Sequence, residues 1–161
     1  MPIETPRPQD APTILQVATS TGVFSAEELR VVGELLATYF DPHVKDDYEF
    51  LVYRNGNPET VAGFACFGPV PLADRIWDFY WLGVDRAFQG AGIGLQLLHA
   101  VEAAMRQRGA RAVYLETSDS PAYRPARTLY ERHGYARVAE FDDFYAPGEG
   151  KIIYRKKFCA T

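Results

Sequence analysis

The residues Gln89-Gly90-Ala91-Gly92-Ile93-Gly94 form the stretch of this chain best suited to bind an anion. Glycines let a backbone approach a ligand closely, because no Cβ stands in the way. If a helix starts here, its first N–H groups have no partner within it and carry partial positive charge. A glycine turn that opens a helix is therefore a phosphate site. Two nucleotide motifs do not fit. A P-loop needs a lysine after its glycines, and none follows Gly94. The dinucleotide fingerprint G-x-G-x-x-G needs another spacing than Gly90, Gly92, Gly94. A plain helix entry that needs flexible residues stays open beside the phosphate reading.

Two carboxylates are candidates for proton transfer. Asp78 is the only acid within the aromatic run Ile76–Val84 (IWDFYWLGV), where a charge is poorly solvated. It reads equally as a residue at the start of a strand, partly solvated or hydrogen-bonded to the loop after Arg75. Glu116 stands near the C-terminal end of the next predicted strand, where parallel sheets place ligands. An ion pair with a nearby arginine is its preferred reading. His43, His99 and His133 share no ligand spacing, so no metal site is expected. Cys66 and Cys159 have no triad partners and read as small hydrophobes, which argues against a covalent cysteine route.

These groups must be positioned by an alternation of strands and helices. Residues 1–12, with four prolines, read as a loose or extended arm before a single domain over 13–161. Thr13–Ala18 is expected to be a first strand. Ser25 and Glu28 form a capping box for a helix whose apolar face is Leu29, Val32, Leu35, Leu36 and Tyr39, with Phe24 as its staple. Asp41-Pro42 stops it. Tyr48–Arg54 and Thr60–Phe67 read as a hairpin around the turn Asn55-Gly56-Asn57-Pro58. Ile76–Val84 is the third strand of this meander. Ile93, Leu97, Leu98, Val101, Ala104 and Met105 recur at helical spacing up to Gly109. Ala112–Thr117 then reads as a strand parallel to Ile76–Val84, through a right-handed crossover. Pro125 starts a helix that Gly134 ends. Tyr135–Phe141 and Lys151–Phe158 close the sheet through a loop that contains Tyr145 and Glu149. The fold class is α/β with a mixed sheet.

Composition narrows the function classes. The chain has 161 residues, 47% hydrophobic and 24% charged, as expected of a globular domain. A net charge of −4 argues against a nucleic-acid partner, and the run Arg155-Lys156-Lys157 reads as a solvated strand end. No run approaches the roughly 20 apolar residues of a membrane span. The polar N-terminus carries no apolar signal region, and the two cysteines show no disulfide spacing. A cytoplasmic location is the expectation.

Gln89-x-x-Gly92-x-Gly94 resembles the cofactor loop of the GNAT superfamily of N-acetyltransferases, (Gln/Arg)-x-x-Gly-x-(Gly/Ala), between a strand and a helix. Ala126-Arg-Thr-Leu129-Tyr130-Glu131-Arg-His-Gly134-Tyr135 resembles that family's A-x-x-(Leu/Phe)-Tyr-Glu-x-x-Gly-(Phe/Tyr) block. The predicted element order agrees over about residues 13–158. The resemblance implies a splayed β-sheet in the order β-α-β-β-β-α-β-α-β-β, and acetyl-CoA as co-substrate. Backbone N–H groups of Gln89, Gly90, Ala91, Gly92, Ile93 and Gly94 would hold the pyrophosphate. Backbone groups of Leu82 and Val84 would pair with the pantetheine arm. Tyr130 matches the tyrosine that protonates the leaving thiolate, although a tyrosine in an amphipathic helix is also a usual core anchor. Tyr123 stands where the family often has asparagine, a departure from its pattern; its hydroxyl makes it a candidate for the cofactor contact in place of that amide.

The activity so implied is direct acetyl transfer to a primary amine, with Asp78 or Glu116 as base and Tyr130 as acid. The alternative is a catalytically silent acyl-CoA sensor or interaction domain. A nucleotide-binding protein is a second rival. The acceptor is an amine-bearing small molecule or a protein N-terminus or lysine, and a homodimer would fit the family. Trp77, Tyr80, Trp81, Phe144 and Tyr145 are candidate walls of the acceptor pocket, with one face only of 77–81 available to it. Tyr145 and Glu149 are expected as loop-borne specificity contacts. Asp41, Asp46, Asp47 and Glu49 read as ordinary solvated charge rather than as an attractor for a cationic amine.

Overall fold

A computed structural model describes residues 2–45, 47–56 and 60–159 of the chain. Among the described residues the strands and α-helices are β1 (Ile3–Glu4), α1 (Ala11–Ser20), α2 (Ala26–Phe40), β2 (Glu49–Arg54), β3 (Val61–Pro69), β4 (Ile76–Val84), α3 (Ile93–Gln107), β5 (Ala112–Ser118), α4 (Arg124–Arg132), β6 (Ala136–Ala146) and β7 (Glu149–Lys157). The strand order is β1-β2-β3-β4-β5-β7-β6, so the α/β class and the mixed sheet are as expected. The chain divides into two compact units, Met1–Gly68 with Trp81–Ala104 and Pro69–Tyr80 with Met105–Thr161. Strand β4 contributes its first half to the second unit and its second half to the first.

In the first unit, β1, β2 and β3 are antiparallel neighbours. The Ser25–Glu28 capping box forms in both directions, at 3.1 Å each way, and Asp41 caps the other end of α2. Tyr39 packs edge-on against Phe50, with 5.2 Å between ring centroids, which seats α2 on β2. The ring of Phe24, expected as a helix staple, lies 6.2 Å from that of Phe64 on β3. Asp41, Asp47 and Glu49 lie among the described residues; Asp46 and the turn residues Asn57 and Pro58 lie outside them.

Two expectations for the N-terminal part are corrected. Thr13–Ala18 is helical, within α1, and not a strand. Its apolar residues alternate poorly, and Ile14, Val17 and Ala18 instead recur at i, i+3, i+4 and are all buried. Burial of that stripe outweighs β-propensity. Residues 2–12 of the expected loose arm are ordered into the fold. Ile3 and Glu4 pair with Tyr53 and Val52, and Arg54 donates a backbone hydrogen bond to Pro2. The buried Arg54 guanidinium binds both Glu4 and Asp10, reaching Asp10 Oδ2 at 2.7 Å. The first strand therefore comes before α1, drawn in by a cation that would otherwise be buried alone.

That clasp carries a pH signature. Arg54 is the main reason the Asp10 carboxyl titrates below its ordinary value of 3.8. A lowered folded-state pKa adds stability that is fully present above 3.8 and lost as pH falls through the lower value. Asp10→Asn is expected to flatten the dependence of Tm on pH in the acid range, read by circular dichroism melts.

In the second unit, β4 and β5 run parallel from Ile76/Ala112 to Phe79/Leu115, and β7 lies between β5 and β6 in antiparallel register. Strand β6 extends to Ala146 and β7 begins at Glu149, so the connection is a tight turn with Gly148 at φ 82°. Tyr145 and Glu149 therefore stand on strands and not in a loop, which removes the loop argument for their role. The aspartate Asp143 makes the longer hairpin possible: it adopts φ 53° and its Oδ1 accepts the Gly148 N–H at 2.7 Å. Among the described residues, no helix is long and apolar enough to cross a membrane, no group of acids, histidines and cysteines is fit to hold a metal, and the two cysteines form no disulfide.

Candidate functional site

The glycine turn lies in the first unit, between β4 and α3. Asp85 starts it: its Oδ1 accepts the Ala87 N–H at 2.9 Å, and its Oδ2 accepts the Ser20 hydroxyl at 3.3 Å. Gly90 and Gly92 adopt φ +87° and +80°, a region that side chains other than glycine disfavour. A Cβ at either position would meet nothing within 4 Å. The glycines are thus demanded by backbone conformation rather than by crowding. The first turn of α3 closes on this loop, with Gln96 N–H donating to the Gly92 carbonyl at 3.1 Å. The buried Ile93, Leu97, Leu98 and Val101 anchor α3 in the core, and its N-terminus is fixed with them. A rigid helix start behind a left-handed glycine loop is suited to an anion.

Leu82 and Val84, expected to offer backbone groups to a cofactor, are half-buried on the half of β4 that leads into this turn. The Val84 carbonyl accepts the Gln89 side-chain amide at 3.1 Å. Gln89 thus braces the turn through its side chain, a role its motif position alone did not disclose.

The other candidate residues lie in the second unit. Strand alternation buries Trp77 and Phe79 and leaves Asp78 and Tyr80 half-exposed. Trp77 packs beneath the Arg108 guanidinium, 5.4 Å from its ring centroid, so it belongs to the buried face and not to a pocket wall. Asp78 titrates above the ordinary carboxyl range. Burial is the main cause, the negative charge of Glu116 adds to it, and a hydrogen bond from Tyr80 opposes it. Asp78 and Glu116 are therefore brought within electrostatic reach of each other. Glu116 itself is exposed and pairs with Lys151 at 3.2 Å. The ion-pair reading of Glu116 holds, with a lysine in place of the expected arginine. The Lys151 ammonium also lies 4.4 Å from the Phe144 ring centroid, which fixes it toward Glu116. Lys151 was not singled out from the sequence, because only the β5–β7 register sets it beside Glu116.

Tyr130 is buried on α4, with its ring 5.7 Å from Tyr135 and 5.9 Å from Tyr154. Burial pushes its hydroxyl pKa well above the ordinary tyrosine value, and Tyr154 and Tyr123 push it further. Among the described residues its hydroxyl has no hydrogen-bond partner. The neighbouring Tyr154 is satisfied: it donates to Glu131 Oε2 at 2.6 Å, and burial, then this bond, raises it to about 12. Tyr130 is therefore a buried, protonated donor still available, a rare state for a buried hydroxyl. Tyr123 ends a short turn just before α4 and lies within electrostatic reach of Tyr130. Ile152 and Tyr154 alternate as buried residues along β7, and the tertiary contact places the Tyr154 ring against that of Tyr130.

A model described as Acetyltransferase (GNAT) family matches residues 16–135. Mycothiol acetyltransferase of Beutenbergia cavernae is 33% identical over 127 residues, covering 78% of this chain and 39% of that protein. The chain thus spans about two fifths of the length of that curated relative. The crystal structure of a GNAT-family protein from Desulfovibrio desulfuricans is 35% identical with a TM-score of 0.87, covering 96% of this chain and 97% of that one. The ribosomal-protein-S18-alanine N-acetyltransferase of Escherichia coli superposes with a TM-score of 0.78 over 99% of this chain and 94% of that one. At 20% identity, that likeness concerns the fold. With a family model reaching from α1 to Tyr135, the last residue of the α4 block, and both family motifs within it, the chain belongs to the Acetyltransferase (GNAT) family.

Proposed function

We propose that residues 13–161 act as one N-acetyltransferase domain that moves acetyl from acetyl-CoA directly to a primary amine. The observation that carries this reading is the Tyr130 hydroxyl, buried and protonated and without a hydrogen-bond partner among the described residues. The left-handed glycine turn supports it as the pyrophosphate anchor. In the reaction, the amine nitrogen attacks the thioester carbonyl and the C–S bond breaks. Asp78 takes a proton from the amine. Tyr130 donates its hydrogen to the leaving sulfur as negative charge builds there. Leu82 and Val84 pair with the pantetheine arm, and Tyr123 faces the cofactor in place of the family's asparagine.

Asp78 suits the base role because its raised pKa brings it nearer the working pH. Glu116, paired with Lys151, tunes Asp78 instead of acting itself. Removing the Glu116 charge lowers the Asp78 pKa. Glu116→Gln is therefore expected to move the acid limb of the pH profile of kcat/KM to lower pH. An unmoved limb would mean that Asp78 is not the group titrating there. Asp78→Asn is expected to abolish that limb and slow turnover. It is also expected to raise Tm at neutral pH, since a carboxylate with a raised folded-state pKa destabilises the fold once ionised.

The reading is tested by release of free CoA thiol with a panel of small amines and peptide N-termini. Release with one amine class supports it. Tight acetyl-CoA binding without release from any class would favour a silent acyl-CoA sensor. Thermal stabilisation by ATP or NAD and not by CoA would replace it with nucleotide binding.

A further inference from the structure

We propose that the basic end of the second unit is a docking surface for an acidic protein segment that carries an apolar side chain. It rests on a patch outside the groups used above and stands whether or not the acetyl-transfer reading does. The segments Asp74–Arg75, Arg106–Arg111 and Arg155–Lys157 hold Arg75, Arg106, Arg108, Arg111, Arg155, Lys156 and Lys157 against the single acid Asp74. This occurs in a chain of net charge −4.

The fold gathers these segments. Ala112 lies opposite both Ile76 and Lys157. Arg111 N–H donates to the Arg75 carbonyl at 2.8 Å, and Phe158 N–H to the Arg111 carbonyl at 2.9 Å. Two of the guanidinium groups are laid on rings, Arg106 4.5 Å from the Phe158 centroid and Arg108 5.4 Å from that of Trp77. Stacked arginines lose less side-chain freedom when they bind a carboxylate. The patch already holds one carboxylate: Asp74 is reached by Arg75 Nε at 3.3 Å and by Arg111 Nε at 3.8 Å, all three side chains more than half exposed.

The loop beside it supplies an apolar contact. Leu72 is fully exposed, and both Leu72 and Arg75 adopt left-handed backbone conformations, φ 67° and 56°. Such conformations are unfavourable for residues other than glycine. They hold an aliphatic side chain in water in the same loop as Arg75. A phosphate backbone makes no use of an aliphatic group, and an extended polyanion is repelled by the acidic remainder of the chain. An acidic segment with an apolar residue matches both features.

The test is fluorescence anisotropy of the full chain with three labelled probes: a Glu-rich peptide containing leucines, an all-Glu peptide and a short DNA duplex, at about 150 mM salt. The leucine-containing peptide is expected to bind best. Arg106→Glu with Arg111→Glu is expected to weaken it by about tenfold or more. Arg111→Gln with Lys157→Gln is expected to act in the same direction with less disturbance of packing, and melting curves report the fold of both. Leu72→Ser is expected to weaken the leucine-containing peptide and leave the all-Glu peptide unchanged. Arg30→Gln, on the exposed face of α2, is expected to change nothing. Absence of peptide binding, tighter binding of the duplex, or indifference to the charge variants or to Leu72→Ser would each overturn the proposal.

Discussion

In titration calorimetry, Gly92→Glu is expected to weaken acetyl-CoA binding by about 10³-fold, with the protein still folded. The backbone at Gly92 sits at φ +80°, where a side chain costs about 1–2 kcal/mol. A Cβ there meets nothing within 4 Å, so the substitution adds strain without collision in the core. The larger effect is charge. A carboxylate about 4 Å from a phosphate at an effective dielectric near 20 is repelled by about 4 kcal/mol. Every 1.4 kcal/mol is a factor of about ten, so the two contributions together exceed 10³-fold. Gly92→Ala separates them: it keeps the strain, lacks the charge and is expected to cost only about tenfold. Undiminished affinity in Gly92→Glu would show that the pyrophosphate lies elsewhere.

Tyr130→Phe is expected to lower kcat by about 10²-fold with little change in KM for acetyl-CoA. The phenyl ring keeps the contacts with Tyr135 and Tyr154, so the variant isolates the hydroxyl. A hydroxyl that only anchored the core would be hydrogen-bonded, and its loss would destabilise the fold by about 1 kcal/mol. The Tyr130 hydroxyl has no such partner among the described residues. Its removal spares the fold a buried, unsatisfied polar group, so Tm is expected to hold or rise. Slow turnover in an equally or more stable protein is the signature of a donor kept for chemistry. Unchanged turnover would return Tyr130 to packing.

Glu116→Gln and Asp78→Asn complete this picture, because they act on the proton and not on the cofactor. The combination predicts a division of labour. In it the glycine turn is expected to govern affinity, Tyr130 the rate, and the Asp78–Glu116 pair the pH at which that rate is reached.

Local pattern alone determined a good part of the fold. The bounds Ile76–Val84 for β4 follow from a run rich in β-branched and aromatic residues, and the start of α3 at Ile93 follows from helical spacing after a glycine turn. The Ser25–Glu28 box is a contact between residues three apart, which any chain with that pattern can make. Such features depend on neighbours in sequence, so sequence discloses them. Thr13–Ala18 failed because two local signals disagreed, and only burial of Ile14, Val17 and Ala18 decided between them.

What depended on distant partners was not legible. Arg54 lies 44 residues from Asp10 and 50 from Glu4, and nothing local marks those acids as its partners. The β5–β7 register brings Lys151 to Glu116, an ion pair that no local pattern announces. The side-chain types of Asp78 and Tyr130, and the motif position of Tyr130, mark them as candidates for proton transfer. Burial, nearby charge and the lack of a partner for one hydroxyl are properties of the tertiary structure, since a pKa is set by what surrounds a group and not by its place along the chain.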